Sequence, residues 1–166
     1  MASRLGRKGL GALKVVHVFF ISAWVGCGVT MLFLLALVSA TSAPFEMVRA
    51  IHILDIGVAV PSATGTLITG LLFSFMTPWG FFKHRWIVAK YLINLVPLVL
   101  GATCLAPWIL GMLEQAQRLG VNVLNDPLFL KRQSLFTSFV AVQFFLLLGA
   151  IYLSVFKPKL LKGVSK

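Results

Sequence analysis

The chain has 166 residues, a formal net charge of +11, and 59% hydrophobic against 11% charged residues. A soluble domain carries about 25% charged residues, so this composition excludes an ordinary soluble fold and predicts membrane spans. The basic residues flank apolar runs, as cytoplasmic loops do, so the expected partner is the lipid bilayer and not nucleic acid.

The chain opens with Arg4, Arg7, Lys8 and Lys14, followed by an apolar run from Val15 to about Val38. That run exceeds the roughly 7–15 residues of a signal-peptide core. It reads as a retained first span over about 11–38. The turn-rich stretch from Ser39 to Pro44 links it to a second span over about 50–77, and Thr77-Pro78-Trp79-Gly80 opens the next link. The third span is expected over about 86–113 and the fourth over about 134–156. The link between them, from Glu114 to Gln133, is the longest and most polar, with a turn at Asn125-Asp126-Pro127 and room for a short amphipathic segment. At 1.5 Å per residue each span can cross roughly 30 Å of hydrocarbon. The fold class is therefore all-α: a four-helix transmembrane bundle forming one domain over residues 1–166.

Lysine and arginine set the orientation. Arg4, Arg7, Lys8, Lys14, Lys83, Arg85 and Lys157, Lys159, Lys162 and Lys166 fall on one side; Arg49, Arg118, Lys131 and Arg132 fall on the other. The asymmetry predicts both termini in the cytoplasm, with a bacterial inner membrane as the expected location. Trp79, Trp86 and Trp108 sit near span ends, where aromatic belts form.

Polar residues inside spans are costly and face the bundle interior. Span two carries a stripe of His52, Asp55, Ser62, Thr66 and Thr69 at three-four spacing. Span one places Lys14, His17 and Trp24 on one face; span three has Lys90 and Asn94 one turn apart; span four has Gln143. By depth, His17, Thr66, Thr69, Lys90 and Asn94 can converge on one inner pocket. His52 and Asp55 are expected near the outer face, in contact with each other or with Arg49. His17 and His52 then lie on opposite sides and cannot share a metal. The bland readings are snorkelling for Lys14 and Lys90, and backbone bonding for the threonines. Cys27 and Cys104 lack zinc-finger spacing and read as packing residues.

Lys14-Val-Val-His17 with Trp24, then Pro61, Thr66 and Gly70, then Trp86 and Lys90, resemble the first three spans of HemJ-type protoporphyrinogen oxidases. The first of these motifs also resembles the membrane domain of CopD copper-resistance proteins. The layout resembles most a family of predicted bacterial integral-membrane proteins of unknown function, through Val60-Pro61-Ser62-Ala63, Thr69-Gly70, Trp79-Gly80 and Trp86-Ile-Val-Ala-Lys90. The resemblance implies haem b in a redox role toward a tetrapyrrole, with His17 as the axial metal ligand and Lys90 as partner for a propionate or a substrate carboxylate; Thr66 and Asn94 join the expected cofactor site by their depth. The chain departs from the HemJ pattern at Ala63, where that family has a methionine, and at Val88, where it has a histidine. No catalytic residue is assigned. Two further expectations stand beside the haem reading. One is a copper-handling or transport module, with Met31, Met47, Met76, Met112 and the two cysteines as soft donors. The other is a non-catalytic subunit of a homo- or hetero-oligomer.

Overall fold

A computed structural model describes residues 6–77, 81 and 85–156. Trp79, Lys83, His84 and the basic residues after Phe156 lie outside the described residues. The described chain is all-helical: α1 (Arg7–Leu37), α2 (Pro44–Leu54), α3 (Val60–Met76), α4 (Arg85–Leu100), α5 (Ala106–Leu119) and α6 (Pro127–Phe156). α2 and α3 continue through a π-helical turn, Asp55–Ala59, and α4 and α5 through another, Gly101–Leu105. The result is four helices long and apolar enough to cross a bilayer: Arg7–Ala40, Pro44–Met76, Arg85–Asn125 and Pro127–Phe156. They pack as a four-helix bundle in which each span touches its sequence neighbours and the fourth closes on the first. The chain is thus a multi-pass membrane protein by the length and composition of its helices.

Three boundaries differ from the expected ones. Span two begins at Pro44, because proline suits the first helical turn, where its missing N–H costs nothing. Span three runs on to Leu119 and ends at Gly120, whose φ of 56° only glycine adopts freely. Span four starts at Pro127, seven residues before its expected start at 134. Asp126 caps it, its carboxylate accepting the Phe129 amide at 2.8 Å. Gln115 donates to the same carboxylate at 3.0 Å and accepts from Arg132 at 2.8 Å. The polar link read as a loop is therefore two helix ends tied by one hydrogen-bonded chain, joined by a 3-10 turn over Gly120–Asn125.

Each π-turn is followed, one residue on, by a proline: Pro61 after Asp55–Ala59, and Pro107 after Gly101–Leu105. A proline within a helix lacks the i→i−4 donor and its ring crowds the carbonyl of residue i−4. Widening the preceding turn by one residue accommodates both problems. The largest group of buried side chains, including Ile51, Ile109, Met112, Phe129 and Phe136, lies toward the end of the bundle that holds the 1–2 and 3–4 links. A smaller one joins Trp24, Ala63 and Leu147.

Candidate functional sites

Two polar regions lie inside the bundle. The first is the seam between α1 and α3. His17 Nδ1 lies 2.6 Å from Thr69 Oγ1, and the threonine hydroxyl donates to the Gly65 carbonyl at 2.6 Å. A hydroxyl has one proton. With that proton on the backbone carbonyl, Thr69 accepts from His17, so the proton of the neutral imidazole sits on Nδ1 and the lone pair on Nε2. Gly70 faces the ring with room for a Cβ at 3.8 Å, and Phe73 meets it edge-on with 5.5 Å between centroids. The seam is tighter next door, since a Cβ on Gly65 would come within 2.6 Å of the Phe20 ring.

The other residues expected here share the region without bonding to His17. Lys90 lies near enough for its charge to act on the imidazole, and its ammonium stands over the Trp86 ring, 5.6 Å from the centroid. Thr66 Oγ1 and Asn94 Oδ1 are buried and have no hydrogen-bond partner among the described residues. A bond that the sequence did not point to ties α3 to α4: Ser74 pairs with the Tyr91 hydroxyl, which also reaches the Gly70 carbonyl at 3.4 Å.

The second region is a cavity of about 380 Å³ walled by all four spans, with Trp24 and Gly28 from span one, Asp55 from span two, Gly101 from span three, and Gln143 and Phe144 from span four. It lies beyond Trp24 from the His17 seam and does not include His17 among its walls. Both π-turns contribute to it, and such turns concentrate at functional sites. Asp55, expected near the outer end of its span, stands eleven residues past Pro44, about a third of the way along the 33-residue helix Pro44–Met76. It does not join Arg49. That guanidinium pairs with Glu46 at 3.8 Å on the exposed face, and His52 Nδ1 is buried without a hydrogen-bond partner among the described residues. The Asp55 carboxylate forms no hydrogen bond or ion pair among the described residues, and the titratable side chains near it are His52, three residues before it, and Cys27 of span one.

Of the soft donors, Cys27, Met31 and Met112 are buried in the large apolar group with Met47 packed against it, Cys27 also donating to the Leu54 carbonyl at 3.5 Å, whereas Cys104 contacts Thr103. Among the described residues no three His, Cys, Asp or Glu side chains come together to hold a metal ion. The signal that could have pointed to the cavity was the set of prolines inside spans two and three, Pro61, Pro97 and Pro107, of which Pro61 and Pro107 follow the π-turns and Pro97 lines the cavity within regular α-helix. No protein-family model matches the chain, and no curated protein or solved structure is similar to it. The site must be read from its own chemistry.

Proposed function

We propose that this protein binds, and in a transport role passes on, a small ligand held between its four spans. The observation that carries this reading is the cavity of about 380 Å³ with Asp55 in its wall. Ligand sites are mostly apolar concavities of about 300–1,000 Å³ with a few placed polar groups. An ionisable side chain within a span marks a functional site by default, because hydrocarbon penalises it. The lysine and arginine asymmetry supports cytoplasmic termini, and a bacterial inner membrane is the location proposed with them. Native mass spectrometry of protein released from lipid nanodiscs tests the binding. A small-molecule adduct is expected on the wild type and is expected to be lost in Ala102→Phe, which places a ring at the cavity wall. Loss of the adduct in neither protein, or its absence from both, contradicts the reading.

A second reading has one specific observation in its favour. With the Thr69 proton on the Gly65 carbonyl, His17 carries its proton on Nδ1 and its lone pair on Nε2, the arrangement in which outer partners orient a metal-binding histidine. In that reading His17 ligates haem b, which supplies redox chemistry when bound, and Lys90 holds a propionate. The fit is incomplete: His17 is not among the walls of the cavity, and its ring lies against Phe73 and Gly70. We therefore derive no step through haem. Absorbance of protein purified from haem-replete cells decides the matter. A Soret band that His17→Ala removes supports haem; a spectrum without one eliminates it.

A further inference from the structure

We propose that the cavity takes a lipophilic organic ammonium ion, which enters sideways from the bilayer between spans two and three. The inference rests on the ligand-binding reading of the cavity and names its ligand class and entry route.

Charge comes first. A carboxylate inside hydrocarbon needs a partner that supplies a proton or a positive charge. The Asp55 carboxylate has neither a hydrogen bond nor an ion pair among the described residues, although His52 and Cys27 lie near it. The ion pairs formed among them, Arg49–Glu46 and Arg118–Glu114, are both on exposed helix surfaces. Its oxygens are not sealed in the packing either, since they are absent from the buried unpartnered atoms that include His52 Nδ1 and Asn94 Oδ1. An unpaired acid on the wall of a cavity fits a cation brought by the ligand.

The other walls define the rest of that ligand. Trp24, Phe136 and Phe144 present aromatic rings to the same space. Aromatic faces attract ammonium groups, the more so when water is excluded. Gln143 adds one neutral polar group from span four. The remaining wall is largely aliphatic, so the body of the ligand is apolar. A small metal ion is a poor match, because one carboxylate and one amide leave most of its coordination positions without protein donors.

The route follows from how the spans pack. Spans two and three touch at one end through α2 and α5, and at the other through α3 and α4. Between these contacts the two π-turns both line the cavity, and their packing on each other is weaker than that of the helices on either side. Ile56 and Val60, on the span-two side, are 55% and 45% exposed, and Ala102 on the span-three side is exposed too. Each also lines the cavity. Side chains that both line a cavity and face outward at mid-span frame an opening to lipid. Gly101 and Ala102 keep that opening free of bulk on the span-three side.

The test uses the full chain in nanodiscs of phosphatidylcholine, whose zwitterionic headgroups do not compete as anions. Two radiolabelled probes are compared by scintillation proximity: octyltrimethylammonium, and its uncharged isostere with carbon in place of nitrogen. The wild type is expected to bind the ammonium at least about tenfold more tightly than the isostere, a modest ratio for a desolvated charge contact. Asp55→Asn is expected to abolish that preference while still binding the isostere, which also shows that the variant is folded. Ala102→Phe is expected to weaken both probes. Equal binding of the two probes to the wild type overturns the ammonium assignment and leaves the ligand-binding reading standing, with lipid tails as the occupant. Failure of both probes to bind the wild type overturns the ligand-binding reading as well. Unchanged binding in Ala102→Phe overturns the lateral route.

Discussion

The seam at His17 and the cavity at Asp55 are both polar places inside an apolar bundle, yet they are built in opposite ways. In the seam, the imidazole has a hydroxyl at 2.6 Å and the hydroxyl has a carbonyl, although Thr66 Oγ1 and Asn94 Oδ1 are buried without a hydrogen-bond partner among the described residues. In the cavity, the Asp55 carboxylate, a group that carries full charge when ionised, has no bonded partner among the described residues, and the backbone widens at two π-turns so that all four spans wall an open space. A polar group that is satisfied and tightly packed needs nothing further to be stable. One that is unpaired beside open space has been retained at a cost, and such costs mark function more reliably than polarity alone.

This contrast can be broken by substitution. The largest effect is expected at Gly65. Gly65→Ala would place a methyl group 2.6 Å from the Phe20 ring, and overpacking of this kind costs about 1–3 kcal/mol. Thermal unfolding in detergent should show a lowered midpoint; an unchanged or raised one would mean that the seam is as loose as the cavity. A smaller effect is expected from the His17–Thr69 bond. A double-mutant cycle with His17→Ala and Thr69→Val should give a coupling of about 0.6–1.7 kcal/mol, the range for hydrogen bonds between membrane helices. A coupling near zero would remove the seam's claim to be satisfied. The smallest effect is expected at Gly57, in the span-two π-turn, where an added Cβ meets nothing within 4 Å. Gly57→Ala should be neutral or stabilising by up to about 1 kcal/mol, the helix preference of alanine over glycine. Destabilisation there would show that the π-turn depends on its glycine.

The four spans could be read from the sequence because hydropathy over twenty or more residues leaves few alternatives in a bilayer. So could the placing of His17 and Thr69 at one depth, since span order and 1.5 Å per residue fix it. The third link was less legible. Glu114, Gln115 and Arg118 look like loop residues by polarity, but they lie on a helix that outruns the hydrocarbon, and Asp126 was noticed as part of a turn when it serves as a cap. The cavity was the least legible of all. Asp55 stood out as an acid in a span, but a void is a property of how four helices meet, and no single residue encodes it. The prolines at 61 and 107 accompany the widened turns, since each lacks a helix donor and crowds the turn before it; Pro97 sits in regular α-helix, so proline alone does not encode the turn.

The most direct test of the difference between the two regions is a structure of the protein with octyltrimethylammonium bound. The cavity assignment predicts ammonium density within roughly 4 Å of the Asp55 carboxylate, the reach of an ion pair. The octyl chain should lie toward Gly101 and Ala102. Density beside His17, or density in the cavity with no group near Asp55, would contradict it.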